Sequence, residues 1–157
     1  MPKKKKVGHS TQKRVVKVRM ADGSCYEGQV DRNRKPNGEG VQTYPDGNRF
    51  EGTFVAGKLE GHAVVTNRDG DRYDGQYVDG KMEGHGVYVW PDGTRYDGQY
   101  VADKKEGHGV YVYSDGNRYD GQYVADKKEG HGVYVYINGN RYDGQSADGK
   151  KDGQGTF

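Results

Sequence analysis

Residues 96–113 read Tyr-Asp-Gly-Gln-Tyr-Val-Ala-Asp-Lys-Lys-Glu-Gly-His-Gly-Val-Tyr-Val-Tyr, and residues 119–136 repeat all 18 of them. The step between the copies is 23 residues. Tyr73, Tyr96, Tyr119 and Tyr142 mark it, each followed by Asp-Gly. Phe50 with Glu-Gly stands one period before Tyr73, and Tyr26 with Glu-Gly one residue further back than the period requires. A period of this size marks an array in which each unit is one supersecondary element that cannot bury its own apolar face.

Within a unit, residues 95–101 alternate, reach Ala102-Asp103-Lys104-Lys105-Glu106, and give way to a second alternating run at 107–113. Ser114-Asp115-Gly116-Asn117 closes the unit. Alternation with period two, bounded by Asp-Gly turns, reads as a β-hairpin. Glycine recurring every few residues, at about 1 kcal/mol apiece against alanine, argues against helix. On one face the first strand presents Tyr96, Gly98 and Tyr100, and the second Gly107, Gly109, Tyr111 and Tyr113. With Lys104-Lys105 at the tip, Tyr100 is expected opposite Gly109, Gly98 opposite Tyr111, and Tyr96 opposite Tyr113. Large rings would then rest over bare glycine backbone. The reverse face presents Val101, Val110, Val112, His108, Asp97 and Gln99, a mixed surface.

The pattern Tyr-Asp-Gly-Gln-Tyr, followed after six residues by Gly-x-Gly-x-Tyr-x-Tyr and Asp-Gly, resembles the MORN repeat over about residues 26–157. The resemblance implies an all-β fold: an elongated, single-sheet antiparallel meander of tandem hairpins, curled into a trough lined by aromatics. It brings no catalytic residues. The expected organisation is a basic arm at 1–14, a half-repeat at 15–25, and repeats starting at 26, 50, 73, 96, 119 and 142. The first unit carries one extra residue between Asp31 and Asn37, so that turn should bulge. Ala63 replaces a glycine, Gln42, Val65 and Asn67 stand where later units have Tyr or Trp, and Ser146 stands where Tyr100 and Tyr123 do. The aromatic face is therefore thin early and dense from 73 to 136. The chain ends at Phe157 within its last expected strand, as a fragment or an edge covered by another chain would.

Composition frames the rest. Only 31% of the 157 residues are hydrophobic and 27 are glycine. Such a glycine content could signal disorder, but these glycines fall in register with tyrosines. The reading is a thin ordered array with little interior. Cys25 is the only cysteine, which rules out an intramolecular disulfide and fits a reducing compartment. No apolar run is long enough for a membrane span or a signal-peptide core, so an intracellular protein, nuclear or cytoplasmic, is expected. The net charge of +2 divides sharply. Residues 1–19 hold eight cations and no acid, whereas the remainder holds 17 cations against all 23 acids.

Four features compete as sites. A single curled sheet has nothing of its own to cover an aromatic face, and large exposed apolar patches mark interaction sites. A protein partner, as a helix or an extended peptide, would supply the missing layer. Its expected contacts are Tyr88, Trp90, Tyr96, Tyr100, Tyr111, Tyr113, Tyr119, Tyr123, Tyr134 and Tyr136. The basic arm, with Lys3, Lys4, Lys5, Lys6, Lys13 and Arg14, resembles a nuclear-localisation signal and could equally hold DNA or another polyanion with a steep salt dependence. Lysines at one set of turns (Lys58, Lys81, Lys104, Lys105, Lys127, Lys128, Lys150 and Lys151) suggest a rim for anionic lipid, but Asp103, Glu106, Asp126 and Glu129 interleave with them. The column His62, His85, His108 and His131 has neighbours about 10 Å apart, too far for shared metal ligation, and reads as polar residues near turns.

The resulting expectation is a non-enzymatic scaffold with no metal or cofactor, binding a partner along the trough, with homodimerisation through a free edge as a further route. The alternatives are a nucleic-acid or chromatin-associated protein acting through the arm, and a peripheral membrane protein. No phosphate loop or nucleophile–base pair is visible.

Overall fold

The computed structural model describes residues 14–156. Among them run thirteen strands in chain order: β1 (Val15–Arg19), β2 (Cys25–Val30), β3 (Pro36–Thr43), β4 (Arg49–Val55), β5 (Lys58–Thr66), β6 (Arg72–Val78), β7 (Lys81–Val89), β8 (Arg95–Val101), β9 (Lys104–Val112), β10 (Arg118–Val124), β11 (Lys127–Val135), β12 (Arg141–Ala147) and β13 (Lys150–Thr156). They form one open antiparallel sheet in which every strand pairs with its neighbours in sequence. This is the expected all-β meander of hairpins.

Two kinds of turn alternate along it. At one side, five-residue turns such as Trp90–Thr94 close with Trp90 N–H donating to Thr94 O (2.9 Å) and Gly93 N–H to Trp90 O (3.0 Å). Asp92 Oδ1 accepts from Thr94 N–H (2.8 Å), and Gly93 takes the left-handed conformation that closes the turn (φ +87°). At the other side the hairpins reverse over two residues, both left-handed: Ala102 (φ 47°) with Asp103 (φ 71°), and Ala125 (φ 46°) with Asp126 (φ 72°). The first hairpin is longer there, with Arg34 left-handed (φ 63°) in the Asp31–Lys35 turn. The extra residue expected in that unit sits in this turn.

The hairpin register differs from the one expected. Tyr96 lies opposite Tyr111 and Gly98 opposite Gly109, while Tyr100 faces Lys105 and Val101 faces Lys104. The tip is Ala102-Asp103 and not Lys104-Lys105, so β9 carries two more residues than β8 between the paired glycines and the tip. A bulge takes up the difference. Glycine therefore opposes glycine, and the ring that covers the pair comes from two residues earlier on the first strand. A Cβ on either Gly98 or Gly109 would lie 2.6 Å from Cζ of Tyr96.

The two-residue tips tie each hairpin to the one before. Asp103 N–H donates to Met82 O (3.1 Å), and Asp103 Oδ1 accepts from Met82 N–H (2.8 Å). Asp126 makes the same clamp on Lys105 (3.0 and 2.9 Å). Each tip follows a strand that pairs directly with the preceding repeat, β8 with β7, so these bonds carry the ladder one step past the strand end. On the aromatic face, rings carried on strands two apart, about 10 Å in a flat sheet, meet at 5.3 Å (Tyr73 with Tyr100) and 5.2 Å (Tyr96 with Tyr123), as in a sheet curled toward that face.

That meeting makes the core. Tyr26, Phe54, Leu59, Ala63, Tyr73, Tyr77, Tyr96, Tyr100, Tyr119, Tyr123 and Tyr142 are all buried. The Tyr100 ring stands edge-on to Tyr96 of its own repeat (centroids 5.3 Å apart) and to Tyr73 of the preceding one (5.3 Å). Tyr123 bridges Tyr119 (5.6 Å) and Tyr96 (5.2 Å) in the same way. Edge-to-face pairs at this spacing contribute about 0.5–1.5 kcal/mol each beyond area burial. A chain poor in aliphatic residues thus builds its interior as a zigzag of phenols.

Candidate functional site: the aromatic trough

Of the ten aromatic residues expected to line the trough, four form its floor. Tyr96 and Tyr119 are fully buried (0%), and Tyr100 and Tyr123 nearly so (3% each). The other six, Tyr88, Trp90, Tyr111, Tyr113, Tyr134 and Tyr136, are half-buried and form the accessible layer. They are linked in sequence along the sheet. Tyr88 meets Trp90 at 4.5 Å, Trp90 meets Tyr111 at 5.5 Å, and Tyr111 meets Tyr113 at 4.7 Å. Tyr134 and Tyr136 lie parallel at 6.5 Å. A shallow recess opens between Tyr113 and the Tyr134–Tyr136 pair.

Burial raises the phenol pKa values of Tyr88, Tyr96, Tyr100, Tyr111, Tyr113, Tyr119, Tyr123 and Tyr134. Tyr113 and Tyr119 are pushed up to about 12, in both by desolvation first and then by neighbouring Tyr134. Tyr88 also rises to about 12, through desolvation and a hydrogen bond to Asp71 Oδ2 (2.9 Å). Tyr100 and Tyr123 are raised further still, by desolvation and the adjoining phenols. At neutral pH these phenols are uncharged. Two floor hydroxyls are satisfied locally, Tyr96 Oη donating to Gln99 O (3.1 Å) and Tyr119 Oη to Gln122 O (3.2 Å). Tyr123 Oη is buried with no hydrogen-bond partner.

The lysines divide in a way the sequence reading missed. Lys104 and Lys127 stand exposed on the outer side, and Lys127 pairs with Asp148. Lys105 and Lys128, one residue further on, point into the trough and are half-buried. Adjacent strand residues face opposite ways, so the Lys-Lys doublets already held this information. Grouping them as a single rim obscured it.

The histidines also differ from expectation. They lie inside strands, not near turns, and each reaches an aspartate of the next repeat on the convex face. His85 Nε2 is 2.7 Å from Asp97 Oδ1, whose Oδ2 accepts from Arg95 Nη2 (2.6 Å). His62–Asp74, His108–Asp120 and His131–Asp143 repeat the arrangement. Partial burial alone would raise the Asp97 carboxyl, but hydrogen bonds from His85 and Arg95 outweigh it and hold the pKa below the ordinary value. Among the described residues no three His, Cys, Asp or Glu side chains converge as metal ligands would.

Lys3, Lys4, Lys5, Lys6 and Lys13 of the basic arm lie outside the described residues, as does Phe157. Arg14 is exposed just before β1.

Comparison with curated protein sequences gives no match. Among solved structures, the SAS-4 (dCPAP) TCP domain of Drosophila melanogaster, in complex with a proline-rich motif of Ana2 (dSTIL), is similar with a TM-score of 0.48 at 12% identity, covering 92% of this chain and 86% of that one. The TCP10 domain of Danio rerio CPAP gives 0.33 at 15% identity over 87% and 76% of the two chains. The same domain with a peptide of Danio rerio STIL gives 0.31 at 17% over 84% and 68%. These similarities concern backbone arrangement only. The model of the MORN repeat, in contrast, matches residues 26–49, 50–72, 73–95, 96–118, 119–141 and 142–157 in unbroken succession. On that match, and on the hairpins that carry it, the chain belongs to the MORN repeat family.

Proposed function

We propose that this protein is a non-enzymatic scaffold that holds a protein partner, as a helix or an extended peptide, along its aromatic trough. The observation that carries the reading is the linked, half-exposed layer Tyr88–Trp90–Tyr111–Tyr113 with Tyr134 and Tyr136. Among the described residues no second sheet or helix lies over it. Aromatic side chains offer large contact area at low entropic cost and dominate binding hot spots. The floor beneath them is fixed by edge-to-face contacts, so the surface is preorganised and loses little freedom on binding.

The test is co-purification from cells with the full chain and with the double variant Tyr111→Ala/Tyr134→Ala. Proteins that depend on the trough should be captured by the first and lost from the second, provided the variant remains folded by circular dichroism. A folded double variant that retains every captured protein contradicts the proposal.

The basic arm supports a second element of the reading, delivery to the nucleus or tethering to a polyanion. Its support is the concentration of eight cations and no acid in residues 1–19. Deleting residues 1–14 should abolish nuclear accumulation of a fluorescent fusion. It should also remove salt-dependent DNA binding, whose log K is expected to fall with log salt by about 0.9 per phosphate contact. Unchanged behaviour on both counts removes the arm from the account.

A further inference from the structure

One inward-facing position changes character along the array. At steps of 23 residues it is Pro36, Leu59, Met82, Lys105, Lys128 and Lys151, in each case the first or second residue of its strand. Pro36 and Leu59 are buried and Met82 packs on the core. From Lys105 onward the same position delivers an ammonium group to the aromatic face. Lys105 Nζ lies 5.3 Å from the ring centroids of Trp90, Tyr96 and Tyr111 alike. Lys128 Nζ lies 4.5 Å from Tyr119, 4.8 Å from Tyr134, 5.0 Å from Tyr113 and 5.9 Å from Tyr111. It also donates to Tyr113 Oη. Lys151 Nζ lies 4.4 Å from Tyr142 and 4.9 Å from Tyr136. Tyr111 is shared by the first two lysines and Tyr134 by the last two, so the cations and rings form one continuous column.

Lys105 and Lys128 are held differently from the cations of the convex face and the rim that pair with carboxylates. Convex-face carboxylates are taken by arginine and histidine, and exposed Lys58 and Lys127 have Asp79 and Asp148. Neither Lys105 nor Lys128 has a carboxylate within ion-pair distance among the described residues. The charge of Asp126 favours the Lys105 ammonium, but its Oδ1 is engaged by the Lys105 backbone N–H (2.9 Å). Desolvation presses both ammonium groups toward neutrality, and in Lys128 the charge of Lys105 adds to it. Ring faces stabilise such cations by about 0.5–2 kcal/mol, while a carboxylate in the same place would add a charge-assisted hydrogen bond. The trough is thus polarised, apolar at Met82, Tyr88 and Trp90 and cationic from Lys105 to Lys151.

We propose that the cationic half of this trough receives an acidic segment of a protein partner, its Asp or Glu carboxylates seated over Lys105 and Lys128 and its apolar residues against Trp90 and Met82. This rests on the reading of the trough as a partner-binding groove and assigns the chemistry of the occupant. The sign excludes the chain's own basic arm, which carries the same charge. Successive lysines are two strands apart, about 10 Å between their backbones, close to the about 10.5 Å between residues seven apart on a helix. Acidic residues at that spacing on one helical face would meet two lysines at once.

The test selects peptides from a random displayed library against the full chain, then measures synthetic versions by fluorescence anisotropy. Selected peptides are expected to be enriched in Asp and Glu. Changing their Glu residues to Gln should weaken binding at least about tenfold. Lys105→Met/Lys128→Met, which places at both positions the side chain Met82 already has, should bind the Glu and Gln peptides equally. Lys105→Gln/Lys128→Gln serves if the Met variant does not fold. Peptides that lose binding on Tyr111→Ala/Tyr134→Ala, yet show no acidic enrichment or bind the lysine variants as tightly as the parent, overturn the acidic assignment and leave the trough reading standing. Selected peptides indifferent to Tyr111→Ala/Tyr134→Ala overturn both. A parent chain that binds phosphatidylserine vesicles through Lys105 and Lys128, with acidic peptides failing to bind, also overturns the assignment and makes the occupant a lipid headgroup.

Discussion

The phenol ring of Tyr96 lies against the backbone of Gly109 on the neighbouring strand, so close that a methyl group there would sit 2.6 Å from Cζ. The ring cannot retreat, because Tyr100 and Tyr123 stand against it at 5.3 and 5.2 Å. Gly109→Ala is therefore expected to cost about 2–3 kcal/mol through overpacking. Gly139→Ala is the matched control. It has open space around it but a left-handed backbone (φ +87°), so its cost of about 1–2 kcal/mol should come from backbone strain alone. Urea unfolding followed by circular dichroism separates the two.

Hydroxyl removal should act in opposite directions at two buried tyrosines. Tyr26 Oη donates to Gln29 O at 2.7 Å, and Tyr26→Phe is expected to destabilise by about 1 kcal/mol. Tyr123 Oη is buried without a partner. Tyr123→Phe removes an uncompensated polar atom and is expected to stabilise by about 0.5–1 kcal/mol. Melting temperatures of the two variants against the parent are the check.

Alkaline pH should produce a rise and then a fall in stability. Desolvation, aided by the Lys105 charge, lowers Lys128 to about 8 in the folded chain. Between that value and the ordinary lysine value the unfolded chain binds more protons, so stability increases with pH. The tyrosines act later and in the other sense. Tyr73, held at about 12 by desolvation and by Asp103, ionises more readily when unfolded, and its contribution is lost as pH rises above about 10. Thermal melts across this range should show a maximum, and Lys128→Met should flatten the rising limb, leaving the smaller contribution of Lys105. Tyrosinate absorbance should appear together with unfolding.

Acid should loosen the convex face. Burial works against ionisation of Asp120, but hydrogen bonds from His108 and Arg118 hold its pKa below the ordinary value. The stabilisation is in place above about pH 4 and is lost as pH falls through the folded pKa. Asp120→Asn is expected to cost about 0.5 kcal/mol at neutral pH and to flatten the acid limb of a melting-temperature profile.

The period, the hairpins and the burial of rings on glycines were all legible in the sequence, because each follows from residue spacing alone. The hairpin register was not. Ala102 and Asp103 do not look like left-handed residues, and their conformation is sustained by the Asp103 clamp on Met82, a contact with the preceding repeat. The division of ten aromatics into floor and accessible layer depends on how tightly the sheet curls. Local alternation does not carry that information. The inward lysines could have been found from alternation, since Lys104 and Lys105 must face opposite ways. Their place in the series Leu59, Met82, Lys105 identifies a core position given over to charge.

Trp90 offers the most direct test of the central claim that the trough is the binding surface. It is the only tryptophan in the chain and lies in the accessible layer, between Tyr88 and Tyr111. Its emission reports on the trough without any label. Titrating a captured partner, or a selected peptide free of tryptophan, into the full chain should shift Trp90 emission to the blue and shield it from acrylamide. Both changes should saturate with the binding curve measured by anisotropy. Saturable binding that leaves the emission and quenching of Trp90 unchanged would contradict the account.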